Sequence, residues 1–200
     1  MGSGAITIVL IFLLLFVSWQ TIYAANRDLA RAKAWGDLVR KALPFLALLL
    51  MVLSLFVVQS YGQGRTLLAW MAVSAVAIIG ASFLSASSLE RRANRAFRAG
   101  DYARAVELYR ELVEEKPLAR NKAFLGAAFG ASERYEESVE ASTQAIQDDP
   151  EYGLAYYNRA LVLQRMGKKS RAAKDLEKAQ STDLPRRFRS ASRRMLEELS

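Results

Sequence analysis

The sequence predicts an all-α protein in two unlike halves: three transmembrane helices, then a right-handed α-solenoid of three helix-turn-helix units closed by a C-terminal capping helix. Three observations predict it. Residues 1–85 carry only eight charged side chains, whereas residues 86–200 carry the other 40 of 48. Three long apolar runs in the first half lack any Asp, Glu, Lys or Arg. The second half repeats itself with a period of 33 to 34 residues, measured from Tyr102 to Tyr135 and from Tyr135 to Lys169. The charge partition places the domain boundary near Ala86, so whole-chain averages describe neither half.

The apolar runs cover about residues 5–25, 42–58 and 67–86. Each is close to the roughly 20 residues that carry a helix across about 30 Å of hydrocarbon. Pro44 stands at the start of the second run, where a missing N–H costs little, and the Tyr61–Gly64 turn is short enough to pair runs two and three as an antiparallel hairpin. Trp19, Tyr23, Tyr61 and Trp70 are expected near span ends, where amphipathic rings favour the interface. The first run is read as a span and not as a cleaved leader. No cation precedes it, and Tyr23 or Ile22 would stand where a small residue is needed before a cut after Ala25 or Ala24.

Orientation follows from the cations. The connector 26–41 holds Arg27, Arg31, Lys33, Arg40 and Lys41, the second connector holds only Arg65, and Arg91, Arg92, Arg95 and Arg98 follow the third run. By the positive-inside rule the N-terminus lies outside and the solenoid in the cytoplasm, with the basic flanks against lipid head groups. Within the connector, Leu29, Ala32, Trp35 and Val39 recur at helical spacing. Two readings fit: an interfacial helix along the leaflet, or an extension of the first span ending at Gly36.

In the third run Ser74, Ala77, Ala81 and Ser85 form a small-residue face for close helix packing, either inside the membrane unit or against an integral membrane partner. No ionisable group lies in any run, which argues against an ion or proton path. The chain has no His and no Cys. Imidazole and thiolate catalysis and the soft metal ligands are thereby excluded, no cofactor is implied, and the chain is read as a non-enzyme.

The repeat has a recognisable residue pattern. Gly100-Asp-Tyr102, Ala105, Tyr109, Leu112 and Pro117 are answered by Arg134-Tyr135, Ser138, Ser142, Ala145 and Pro150, then by Gly167-Lys-Lys169, Ala172, Leu176, Ala179 and Leu184-Pro185. The first helices read Leu89-x-x-Arg92-Ala93, Leu125-Gly126-x-x-Phe129 and Tyr156-x-x-Arg159-Ala160. This pattern resembles the tetratricopeptide repeat family over about residues 86–185, with units near 86–118, 119–152 and 153–185. Small residues at Ala93, Gly126 and Ala160, and at Ala105, Ser138 and Ala172, are expected where paired helices cross. Tyr102, Tyr109, Tyr135 and Leu176 are expected between units. Pro117, Pro150 and Pro185 stop each second helix. Ser138 and Ser142 suggest a looser second helix in the middle unit, and the first repeat helix is expected to continue directly from the third span. Residues 186–200 put Phe188, Ala191, Met195 and Leu199 on one stripe. That stripe suits a capping helix, with a basic arm for lipid or nucleic acid as the alternative; no aromatic interleaving supports nucleic acid.

The resemblance implies a superhelix whose first helices line a concave groove for segments of other proteins. Its groove positions fall on Arg91, Asn94, Arg98, Phe124, Tyr157, Asn158, Leu161 and Arg165. The implied ligand is an acidic protein segment with apolar anchors. The two-carboxylate clamp of the chaperone-tail-binding subfamily is incomplete: Asn94 matches, but Glu90, Phe124, Leu154 and Asn158 replace its other members. Signs also separate along the array. Residues 119–152 hold three basic and seven acidic side chains, net −4, while residues 153–200 hold twelve basic and five acidic, net +7. Such separation favours oriented docking. The expected function is a membrane-anchored adaptor or scaffold; the alternative is a permanent accessory subunit docked through its spans.

Overall fold

Unbroken apolar sequence makes the first unit helical almost throughout. The structure, a computed structural model, describes the backbone of residues 3–61 and 64–199, and some side chains between 3 and 15 and between 55 and 61 fall outside the described set. The chain divides into two compact units, Met1–Ser87 and Ser88–Ser200. The first contains α1 (Ser3–Ala25), α2 (Arg27–Arg31), α3 (Trp35–Tyr61) and α4 (Gly64–Leu84). Among the described residues, α4 is long and apolar enough to cross a bilayer; the other two runs include side chains outside the described set. The three-span expectation therefore has support at one span.

Several expectations for this unit are corrected. The second run does not begin its helix near Pro44: α3 starts at Trp35, which puts Pro44 well inside it. The ring leaves the Arg40 carbonyl without its helical donor, a loss that long apolar helices tolerate when neighbours compensate. The connector is neither of the two helices expected. It is the five-residue α2 followed by a turn in which Lys33 takes a left-handed conformation (φ 54°). Of its apolar stripe only Leu29 is buried, while Trp35 and Val39 are exposed. The Trp70 Nε1 donates to Ser54 Oγ on α3 at 2.9 Å and so ties the two long helices together. Of the small-residue face, Ser74 is buried, Ala81 and Ser85 are half-buried and Ala77 is exposed.

The join to the second unit is also corrected. Helix α4 stops at Leu84, residues 85–87 are non-helical, and α5 starts afresh at Ser88. The array then runs α5 (Ser88–Arg98), α6 (Tyr102–Glu115), α7 (Ala119–Ala131), α8 (Tyr135–Asp148), α9 (Gly153–Arg165), α10 (Lys169–Ser181) and α11 (Arg186–Leu199). Each start and stop has a local cause. Gly100 adopts φ 79°, and Asp101 Oδ1 accepts the Arg104 N–H at 3.1 Å as the N-cap of α6. Helices α6, α8 and α10 all end before Pro117, Pro150 and Pro185.

Helices pair through their smallest residues. Ala93, Ala105, Ser138, Ala160 and Ala172 are fully buried, and a Cβ on Gly126 would come within 2.6 Å of Ser142 Oγ and 3.2 Å of the Ser138 carbonyl. The middle unit is accordingly a tight crossing and not a loose one. Ser138 Oγ donates to the Gly126 carbonyl at 2.6 Å, while Ser142 Oγ is buried without a partner. Tyr102 departs from expectation: it is 37% exposed and meets Phe97 edge-on at 5.5 Å. Between units two and three, Arg159 pairs bidentately with Asp175 (two contacts of 2.7 Å) and donates to Thr143 Oγ1 at 2.9 Å, joining α8, α9 and α10.

Helix α11 caps the array on its apolar side, with Phe188, Ala191, Met195 and Leu199 packed on the core of the third unit. One side chain fixes it. Arg189 donates to the carbonyls of Gln180, Thr182 and Leu184, satisfying the exposed end of α10. In the same loop Asp183 Oδ1 accepts the Gly153 N–H at 3.0 Å, and a Cβ on Gly153 would clash with Leu184 N at 2.6 Å.

The middle crossing gives a direct test. Gly126→Ala is expected to destabilise the array by about 1–3 kcal/mol through overpacking. Adding Ser142→Gly should recover part of that loss, and Ser142→Ala alone should be neutral or stabilising, because it removes an orphan buried hydroxyl. Denaturant titration followed by far-UV circular dichroism reads all three.

Candidate functional site

Two adjoining cavities open on the first-helix side of the array, and they share Asn94, Phe97, Arg187 and Phe188. The larger encloses about 540 Å³ and is lined by Arg91, Arg95, Arg98 and Arg187 around the Asn94, Phe97 and Phe188 side chains. The smaller, of about 410 Å³, is walled by Phe97, Tyr109, Phe124, Leu154, Tyr157, Leu161, Val162 and Phe188, with Arg165 and Arg187 also in its lining. The groove is thus apolar toward α7 and α9 and cationic toward α5.

All eight groove residues expected from the sequence line one or both cavities. Arg91 and Arg98 belong to the cationic one, Asn94 to both, and Phe124, Tyr157, Asn158, Leu161 and Arg165 to the apolar one. They are not equally available. Asn158 is buried, and its Nδ2 donates to the Ala123 carbonyl at 3.0 Å, so it holds α9 to α7. Arg165 Nη1 donates to the Gly130 carbonyl at 3.2 Å. Phe124 meets Tyr109 at 5.9 Å between ring centroids, and Tyr157 meets Phe188 at 5.3 Å. The walls are therefore aromatic rings already in contact with one another.

The sequence reading missed Phe97, Arg95, Tyr109, Leu154, Arg187 and Phe188. Phe97 and Arg95 had a signal: with Asn94 and Arg98 they follow helical spacing along α5. Tyr109 was expected between units, and it does sit in the first core, but its hydroxyl also donates to Asn94 Oδ1 at 2.8 Å. That bond commits the Asn94 oxygen and leaves its NH₂ as the donor the amide can offer. Phe188 and Arg187 had no signal, because a cap stripe and a groove wall look alike in one helix.

Burial raises the Tyr109 hydroxyl to about 12, with Glu90 adding to the rise and Arg98 opposing it. Burial likewise raises Tyr157, against Arg194. The sign follows directly. A tyrosine whose folded pKa is raised keeps its proton when the unfolded chain has lost its own, so its contribution is intact below pH 10 and disappears as pH rises from 10 to about 12. The Tyr109 donor is thus present throughout the neutral range. In an alkaline ultraviolet titration of the eight tyrosines, the last tyrosinate to appear is expected near pH 12 and should vanish in Tyr109→Phe. A wild-type titration complete near pH 10 would contradict this burial.

Comparison with known proteins supports the repeat fold. Residues 154–184 match the family model described as tetratricopeptide repeat. The chain is 29% identical over 120 residues to the TPR repeat-containing thioredoxin TTL4 of Arabidopsis thaliana, covering 58% of this chain and 17% of that one. It is 33% identical over 95 residues to human serine/threonine-protein phosphatase 5, covering 46% of this chain and 19% of that one. It therefore spans less than a fifth of these relatives' length. Among solved structures, the TPR2B-domain:pHsp70 complex of yeast Sti1 has a TM-score of 0.52 at 20% identity, covering 56% of this chain and 92% of that one. The Sgt2 TPR domain of Aspergillus fumigatus has a TM-score of 0.52 at 24% identity, covering 56% and 74%. The second TPR domain of human RPAP3, in complex with the HSP70 peptide SGPTIEEVD, has a TM-score of 0.50 at 27% identity, covering 56% and 92%. The second unit has the tetratricopeptide-repeat fold.

Proposed function

We propose that the protein is a membrane-anchored adaptor: the first unit holds the repeat array at the cytoplasmic face, and the groove takes a segment of a partner protein in order to assemble or tether a membrane complex. The observation that carries the binding role is the pairing of an apolar, aromatic-walled cavity with an arginine-lined one on the first-helix side. Aromatic and Arg side chains around a desolvated pocket are the usual anchors of protein recognition. The solved RPAP3 domain with its bound peptide supports a protein segment as the class of ligand.

Here the anchor differs from a two-carboxylate clamp. Phe124 and Leu154 make apolar wall, and Asn158 is spent on the Ala123 carbonyl. The ligand this groove suits is a segment that inserts an apolar side chain beside Phe124 and Tyr157 and points negative charge toward α5. No chemistry is required of the protein, and an adaptor without catalytic activity is the reading adopted.

Membrane anchoring rests on exposure. Among the described residues, every exposed large hydrophobic side chain except Tyr102 falls between Val9 and Leu84. A surface so apolar needs a cover, and lipid supplies one along α4. The cation distribution supports an N-terminus outside and the array inside. The alternative is a permanent accessory subunit docked through its spans; a stoichiometric partner that survives groove substitution would favour it.

Arg98→Glu combined with Tyr157→Ala is expected to abolish co-purification of the partner from crosslinked membranes, with helicity and membrane insertion unchanged. Undiminished recovery would place the partner elsewhere. Reporter fusions at Ser200 and in the 61–65 turn are expected to read opposite sides of the membrane, with Ser200 inside. A Ser200 reporter found outside would overturn the topology.

A further inference from the structure

The arginine-lined cavity holds more positive charge than one carboxylate neutralises. Four guanidinium groups line it, from Arg91, Arg95 and Arg98 on α5 and Arg187 on α11, and no acidic side chain is among its lining residues. Arg95, Arg98 and Arg187 take part in no ion pair among the described residues. Arg187 lies over the Phe188 ring, 4.8 Å from its centroid, which sets its guanidinium at the junction of the two cavities.

Building on the groove proposed above, we infer that the cationic cavity receives a phosphomonoester carried by the partner segment, so that the array recognises that segment in its phosphorylated form. The chemistry favours phosphate over a single carboxylate. A phosphomonoester brings roughly −1.5 to −2 charge at pH 7 and three acceptor oxygens, enough for several guanidinium forks at once. Planar guanidinium groups match tetrahedral phosphate oxygens two at a time, which a point-charge ammonium does not. The Asn94 NH₂, oriented by Tyr109, adds a neutral donor at the edge shared by the cavities. The geometry also favours a segment over a bilayer surface. The charge sits in a concavity continuous with an apolar cavity of about 410 Å³, so the ligand must bring an anion and an apolar group on one narrow chain.

The test uses the full chain in nanodiscs of phosphatidylcholine, with phenyl phosphate as a probe that carries a ring and a phosphomonoester together. Phenylacetate serves as the carboxylate analogue. Phenyl phosphate is expected to bind at least about tenfold more tightly at pH 7.5, and its affinity should fall as pH drops through about 6, where the second phosphate proton returns. Arg95→Gln with Arg98→Gln should remove that advantage while leaving helicity intact.

Equal affinity for the two probes, no binding of phenyl phosphate at millimolar concentration, or indifference to the double substitution would each overturn the inference. Nanodiscs containing phosphatidylglycerol give a further arm: loss of phenyl phosphate binding there would assign the cavity to anionic lipid head groups and overturn it as well. The groove reading fails separately. A partner captured through Tyr157 whose binding survives phosphatase treatment leaves the groove standing and removes only the phosphate. A Tyr157→Ala variant that retains every partner removes the groove itself.

Discussion

Everything in the second unit depends on how closely the backbones of paired helices can approach. At each crossing the contact is made by a residue with almost no side chain: Ala93 and Ala105 in the first unit, Gly126 and Ser138 in the second, Ala160 and Ala172 in the third. Close approach turns the long side chains outward from the crossing. On one side they become the shared core between units, and on the other the aromatic walls of the groove. A bulkier residue at a crossing would open the pair and displace both surfaces together, so site and fold answer to one constraint.

The polar groups that remain inside the array reinforce this geometry without adding to the site. Arg159 and Asp175 satisfy each other and Thr143 across three helices, which limits the desolvation cost of burying the charges. Asn158 and Arg165 each reach back to a carbonyl of α7. Among the groove residues expected from the sequence, Arg98, Phe124, Tyr157 and Leu161 keep a face toward the opening without a hydrogen bond to another helix among the described residues. The division between supporting and presenting side chains follows from which helix end each one can reach.

Much of the array was legible in the sequence because a repeat states its rules three times. The crossing residues and the proline stops follow from the repeat's spacing, and the groove-bearing face of the first helices from the resemblance that spacing carries. What was not legible depends on contacts between residues far apart in the chain. Ser138 and Ser142 read as loosening because polarity was weighed without Gly126, which lies opposite them and admits a close approach. Asn158 read as a ligand contact because its carbonyl partner, Ala123, is 35 residues away. In the first unit, helix ends were misplaced where apolar runs were taken for the helices. Polar Trp35–Lys41 belongs to α3 although it lies outside the run, and α4 ends at Leu84 although the run was taken to Ala86.

The clasp of Arg189 on three carbonyls has a consequence in time as well as in space. It fixes α11, and with it Phe188 and Arg187, which form one wall of the apolar cavity and one corner of the cationic one. A growing chain that has emitted all three repeats but not residues 186–199 would carry a groove open on that side. If the groove docks a partner as proposed, full engagement would wait until α11 is in place, and a chain cut short within α11 would lack that wall while keeping the three repeat units.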